Sequence, residues 1–370
     1  MKRAGKHLLY SMYTAILLTA VLLSAGTVFA APAISRTKLV MAAGKTFDLD
    51  VTGTDETVIW SSSRTGTAEV NENGTITAHE AGKTTISARI GDVKLKCKVI
   101  VRKPVKSDKV LKKSAGKWKK QYGAKYYVLE DGSMAVGARK IGSTYYVFDE
   151  HGALLQPEKK AIVKSGKSKY YVTPEGKAIA GWNIIKKKLY KTNKRGKILT
   201  DQKADGITLS KSGSAKKSSS TTWKKQFIKT VSAVTNDQMT KKEKLKACWN
   251  YLVSRRNFRY ALKYPKLSEK NWQKKTAYNM LVTKSGNCYS FACAFAAMAD
   301  TIGYKSYVVC GRVSGSRDHA RDGLTRHAWV KISGLHYDPE GQFASWYRGC
   351  YGSSRYRIRH TIQKTVRFWK

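Results

Sequence analysis

Hydrophobic and polar positions follow three different rhythms along this chain. From Thr84 to Ile90 and from Val93 to Val101 they alternate strictly. Val93, Leu95, Cys97, Val99 and Val101 fall on one side, and lysines 94, 96 and 98 on the other. A period of two predicts half-buried strands, which makes Cys97 an inward core position. Turn signals at Asn71-Glu72-Asn73-Gly74 and Glu80-Ala81-Gly82 break up the same region. Residues 31–103 therefore read as a small β-sandwich of about six or seven short strands. Residues 104–200 carry a longer rhythm. Tyr126-Tyr127-Val128 leads to Gly132, Tyr145-Tyr146-Val147 to Gly152, Tyr170-Tyr171-Val172 to Gly176, and Leu189-Tyr190 to Gly196. The second tyrosines are 19, 25 and 19 residues apart. Each unit predicts a β-hairpin: an aromatic strand, a glycine turn, then a short second strand such as Ala178-Ile179-Ala180. A lone hairpin cannot bury its aromatic face, so the units should stack.

Residues 201–221 are rich in Lys, Ser and Gly and lack periodicity, which predicts a flexible linker. From 222 to 370 helical spacing sets in. Trp223–Val234 predicts one helix. Thr240-Lys241-Lys242-Glu243 is a capping box opening a second, striped by Leu245, Cys248, Trp249 and Leu252. A short helical stretch follows at Ala277–Val282. Gly286-Asn287 then interrupts, and Cys288 to Thr301, with alanines at 292, 294, 296, 297 and 299, predicts a close-packed helix ended by Gly303. Tyr307–Cys310, His327–Ile332 and Leu335–Tyr337 read as strands, so this segment is α+β.

The first thirty residues change the setting. Lys2, Arg3 and Lys6 precede an uncharged run from Ala15 to Ala25, and Val28-Phe29-Ala30 offers small residues where a leader peptidase cuts. Residues 1–30 thus read as a secretory signal peptide, the apolar run being short for a membrane span. Without it 340 residues remain, and the net charge falls from +45 to +42. Such a field attracts polyanions. For an exported chain these are wall polymers or anionic headgroups, and nucleic acid is set aside. Lysine outnumbers arginine, which favours diffuse attraction over bidentate recognition. The run from Lys186 to Lys197 has seven basic residues and no acid. The six cysteines, Cys97, Cys248, Cys288, Cys293, Cys310 and Cys350, show no CxxC spacing. That argues against a zinc site, and no metal or cofactor is called for.

Cys288, His327 and Asp338 carry the candidate chemistry. A cysteine in the first turn of a helix gains from its unpaired N–H groups and positive end, which stabilise a thiolate. A histidine on a neighbouring strand can exchange the proton, and an aspartate on the next can orient the ring. Cys248 and Cys293 read as packing thiols. His319, His336 and His360 compete with His327 but lack its strand context. The Cys288 backbone N–H is a natural oxyanion donor, with Tyr260 or Trp272 as candidate side-chain partners.

Three resemblances follow from these residues. Val58-Ile59-Trp60-Ser61-Ser62-Ser63, Ala68-Glu69-Val70, Gly74–Ala78 and Gly82–Ala88 resemble a bacterial immunoglobulin-like domain of group 2. That implies a spacer or adhesive module on a bacterial surface, with Trp60 in its core. The aromatic hairpins resemble the cell-wall-binding repeats of Gram-positive surface proteins, which include choline-binding and glucan-binding modules. In those, aromatic cages between hairpins hold the ligand. Only Gly181-Trp182 supplies the Gly-Trp pair usual there, so some other wall polymer, such as an anionic one, is as good a ligand as choline, and tyrosines that form the hairpin core and bind nothing are an equal alternative. Gly286-Asn287-Cys288, His327-Ala328-Trp329 and Asp338-Pro339 resemble the transglutaminase-like, papain-like core. The resemblance implies Cys288 as nucleophile, His327 as general base and acid, and Asp338 as orienting group. The chain is then expected to be an exported, wall-targeted surface enzyme. It would act on amide bonds of peptides or proteins through a Cys thioester, as a transferase or a peptidase. The alternative is a wall-binding or adhesive scaffold with a vestigial triad.

Overall fold

A computed structural model of the chain describes residues 30–105 and 110–369. The leader expected over 1–30 lies, apart from Ala30, outside the described residues. No helix among the described residues is long and apolar enough to cross a membrane.

The N-terminal region is a sandwich of two sheets. One orders the strands Lys38–Ala42, Val93–Arg102, Gly82–Ile90 and Ile59–Ser62. The other orders Thr46–Asp48, Thr75–Ala78 and Ala68–Val70. The alternation read from the sequence is what buries Cys97, Val99 and Val101 against Met41, Leu49 and Ile76. Trp60 sits at the edge of this core, half-buried rather than central, with its indole close over Gly74.

The hairpin array follows, and its pairing corrects the sequence reading. The main partner of each aromatic strand is the strand before it: Gly116–Gln121 with Ala124–Leu129, Ala138–Ile141 with Thr144–Val147, Ala161–Ser165 with Ser168–Val172, and Gly181–Ile185 with Lys188–Thr192. The expected second strand contributes only single bridges, such as Val172 to Ala178. Further bridges from Tyr146 to Lys177 and from Tyr170 to Lys197 join each unit to the next. Gly176 shows why the turns need glycine: its φ is +74°, and a Cβ there would lie 2.6 Å from Leu154 Cδ1 of the preceding unit.

Residues 201–221 are not a flexible linker. Lys203–Ala204 pairs with Ile207–Thr208, and Leu209 bridges Ala215, which makes one more hairpin. Ile207 and Leu209 are each 1% exposed. The polar composition concealed two apolar residues that suffice to close the array. Asp205 pins it, accepting from Trp182 Nε1 (2.6 Å) and Lys191 Nζ (2.8 Å), while its carbonyl accepts from Trp369 Nε1 (2.8 Å).

The C-terminal region packs helices on one five-stranded antiparallel sheet. The helices are α1 (Ser219–Val234), α2 (Lys241–Leu252), α3 (Trp272–Thr283), α4 (Cys288–Ile302) and the short α5 (Pro339–Ala344). The sheet orders Tyr351–Ser353, Leu335–Tyr337, Leu324–Ile332, Ser306–Ser314 and His360–Arg367. The Thr240–Glu243 capping box is present at the start of α2. The alanine-rich α4 is the central element, buried from Cys288 through Ala299. Small side chains let it approach α3 and the sheet closely, and Leu189 and Ile207 of the array join the same core.

Candidate active site

Cys288 is the first residue of α4, and Asn287 caps the helix by accepting from Ser290 N at 3.3 Å. Gly286 makes the tight entry possible. It pairs with Tyr260 in a short parallel bridge, and a Cβ there would lie 2.3 Å from Ser290 Cβ. The same pairing brings Tyr260 to the cysteine's turn, where its hydroxyl is buried without a hydrogen-bond partner. Trp272, the other candidate donor, is buried in the core against Tyr289.

His327 lies on strand Leu324–Ile332, opposite Gly311. Its Nε2 is 2.8 Å from Asp338 Oδ2, with the imidazole fully buried and the aspartate 1% exposed. Cys288 stands against the imidazole. The structure thus brings Cys288, His327 and Asp338 together in one buried cluster. Burial alone would lower the His327 pKa, but the Asp338 charge, its hydrogen bond and the contact with Cys288 outweigh this and hold it well above the usual range. For Asp338 burial works against the charge, and the His327 charge and hydrogen bonds hold the carboxyl below its ordinary value. The rivals lie elsewhere: His336 Nδ1 accepts from Trp329 Nε1, His360 is engaged with the Ile358 carbonyl, and His319 is exposed in a loop.

Four contributors escaped the sequence reading. Asp338 caps α5, its Oδ1 accepting from Gly341 N at 2.9 Å. Tyr347 and Tyr356 donate to Oδ2 at 3.0 and 2.7 Å, and Trp329 stacks on Tyr356 with centroids 4.2 Å apart. Trp329 of His-Ala-Trp therefore supports the aspartate through Tyr356. Glu340, two residues beyond Asp338, is 1% exposed, with Oε2 3.8 Å from His327 Nδ1. Arg317 lies between the rings of Tyr260 (5.4 Å) and Trp346 (5.2 Å), and Trp346 is 5.4 Å from His327. A carboxylate two positions after Asp338 was visible in the sequence. Nothing local marks the other three.

His327, Asp338 and Glu340 place potential ligand atoms within 4.8 Å of one another. Asp338 Oδ2 already serves three donors, an arrangement that fits a hydrogen-bonded triad better than a metal centre.

Burial pushes the Glu340 carboxyl from an ordinary 4.5 up to about 7. The fold thus favours its neutral form, and stability is lost as pH rises from the unfolded value to the folded one. The full loss is on the order of 3 kcal/mol. Glu340→Gln removes this term. The thermal midpoint of the variant relative to the parent is expected to be higher at pH 8 than at pH 5; an unchanged difference would contradict the assignment.

Aromatic residues of the hairpin array pack within the array itself. Tyr127 (1% exposed) and Tyr171 (8%) lie inside the hairpin core, and the Tyr127 hydroxyl donates to the Lys112 carbonyl. Trp118 packs against Tyr127, Tyr146 and Phe148, with Lys125 Nζ 4.7 Å above its ring.

No curated protein matches this chain. Among solved structures it is similar to choline binding protein F from Streptococcus pneumoniae, at 17% identity over 40% of this chain and 44% of that one, with a TM-score of 0.23. It is also similar to the choline binding domain of Spr1274 in Streptococcus pneumoniae (23% identity, 27% and 93% covered, TM-score 0.15). A third is the pneumococcal cell wall endolysin from phage Cp-1 complexed with choline (24%, 29% and 30%, 0.20). The chain spans less than half the length of the first of these. Family models match two segments. Residues 28–101 match the bacterial Ig-like domain (group 2), and residues 228–347 match the transglutaminase-like superfamily. The chain therefore joins a bacterial Ig-like domain and a hairpin array to a transglutaminase-like domain.

Proposed function

We propose that the protein is a wall-associated, cysteine-dependent enzyme acting on amide bonds of peptides or proteins. The observation that carries this reading is the buried cluster in which Cys288 meets His327 and Asp338 holds His327 Nε2 at 2.8 Å. An imidazole beside a thiol at a helix start is the arrangement in which a histidine can take the thiol proton and activate the sulfur. The thiolate attacks the amide carbonyl carbon, and the Cys288 N–H and Tyr260 hydroxyl receive the oxyanion. His327 gives its proton to the departing amine as the C–N bond breaks, leaving a thioester on Cys288. An amine or water then attacks the thioester, His327 takes the proton, and the product is a crosslink or a hydrolysed peptide. The leader, the hairpin array and the basic stretch Lys186–Lys197 support delivery to an anionic wall polymer.

A scaffold with an unused triad draws on one observation: Cys288 is fully buried. Trp346, however, is 41% exposed and lies beside the cluster, 5.4 Å from the His327 ring, and exposed side chains change rotamer quickly. Reactivity separates the readings. Burial pushes Cys97 to about 11, and Cys248, Cys310 and Cys350 to about 12, and raises Cys293 well above its ordinary value. Mild alkylation at pH 7 is expected to label Cys288 at least about tenfold faster than any of these five, read by peptide mass spectrometry. Uniformly slow labelling of all six thiols would favour the scaffold.

A further inference from the structure

The loop between strands Ser306–Ser314 and Leu324–Ile332 carries Arg317, Asp318, Arg321 and Asp322. Its two acids are both taken. Asp322 pairs with Arg312, and Asp318 with Arg326 at 3.0 Å. Among the described residues no carboxylate pairs with Arg317. It turns inward instead, between Tyr260 and Trp346, and its Nη1 is buried without a hydrogen-bond partner. Three other atoms of the site share that condition: Tyr260 Oη, Glu340 Oε2 and His327 Nδ1. Buried polar atoms are normally satisfied. Of these, the Tyr260 hydroxyl and the Arg317 guanidinium, a permanent cation, stand beside the thiol and leave room for a polar ligand. A guanidinium is the group best shaped to hold a carboxylate by two parallel hydrogen bonds.

A cleft beside the turn that precedes Cys288 agrees in sign. About 520 Å³ in volume, it opens beside Gly286 and Ser290 and is walled by Tyr264. Lys263, Lys266 and Lys275 line it with a single acid, Glu269, which is already paired with Lys275 at 2.8 Å. An extended chain lying there would meet excess positive charge before reaching the thiol.

We infer that Arg317 determines specificity by binding a carboxylate, and that the acyl donor is a peptide carrying a free carboxylate next to the amide that Cys288 attacks. The inference rests on the catalytic reading of the site, and its test separates the two. The full-length protein is alkylated with iodoacetate and with iodoacetamide in parallel, and modification of Cys288 is followed by mass spectrometry. The two reagents place the same reactive carbon beside a carboxylate or a carboxamide. A free thiolate repels the anionic one. At Cys288 the iodoacetate-to-iodoacetamide rate ratio is expected to exceed that of free cysteine by at least about tenfold, the scale of one charge-assisted hydrogen bond. His327 attracts the anion equally in all variants. Arg317→Gln is therefore expected to lower the ratio about tenfold, and Arg317→Lys, which keeps the charge but loses the fork, to fall between. Rapid iodoacetamide labelling with the same ratio in the parent and in Arg317→Gln would overturn the inference and leave the catalytic reading standing. Failure of Cys288 to react with either reagent would overturn both.

Discussion

Replacing Cys288 by alanine is expected to abolish amide-bond turnover while the protein stays folded. The sulfur sits at the first position of α4, in a helix whose buried face is already largely alanine, so the variant creates only a small void. The loss of stability should be on the order of 1 kcal/mol, well short of unfolding. The loss of rate is of a different order. Without the thiolate no thioester forms, and only the oxyanion donors and binding contacts remain, a residue of catalysis roughly 10⁴- to 10⁶-fold below the parent. Turnover measured with a thermal midpoint distinguishes the two effects. A scaffold with an unused triad predicts the same small change in midpoint and no turnover in either protein.

Removing Asp338 should instead damage both stability and chemistry. Its carboxylate accepts from His327 Nε2, Gly341 N, Tyr347 Oη and Tyr356 Oη, all within 3.0 Å. Asp338→Ala leaves a buried imidazole, a buried phenol (Tyr356) and a half-buried one (Tyr347) without this acceptor. Breaking a buried charged pair in this way costs about 3–5 kcal/mol, a large share of the stability of a domain. The pH dependence has a definite sign. The Asp338 carboxyl is held below its ordinary value, so its contribution is present above the unfolded pKa and is lost as pH falls through the folded one. His327 is held above its ordinary value, so its contribution is complete below the unfolded pKa and is lost as pH rises through the folded one. The pair therefore contributes fully between about pH 4 and 6.5. The destabilisation by Asp338→Ala should be greatest there and shrink in acid. Asp338→Asn preserves the shape but not the charge. It is expected to fold and to lose about 10⁴ in rate, because the ring is no longer held in the useful tautomer. Chemical denaturation at pH 3, 5 and 7 checks the first claim, and turnover of the amide variant checks the second.

What could be read from the sequence divides along a physical line. Cys97 and its lysine neighbours announced a strand because each side chain's face depends on its two neighbours alone. The start of α4, the capping box of α2 and the end at Gly303 are likewise decided within a turn of chain. Cys288, His327 and Asp338 could be picked out because each carries its own local context. Tyr347, Tyr356 and Arg317 could not. They reach the cluster from the connection after α5, a later strand connection and a loop, whose paths are set by the sheet. The segment 201–221 misled because composition averages over residues, whereas two buried side chains, Ile207 and Leu209, decide whether a hairpin docks. The hairpin partners misled for a related reason: Tyr170-Tyr171-Val172 can pair on either side, and the longer ladder with Ala161–Ser165 prevails over a single bridge.

The most direct test of the central claim is the intact mass of the protein and of Cys288→Ala. Each is incubated with a protein containing lysine and glutamine, plus a small primary amine. The account predicts an acyl adduct on Cys288, together with amine incorporation or substrate shortening, in the parent alone, and the kind of product tells transferase from peptidase. No mass gain on the parent, with the substrate left the same by both proteins, would contradict it.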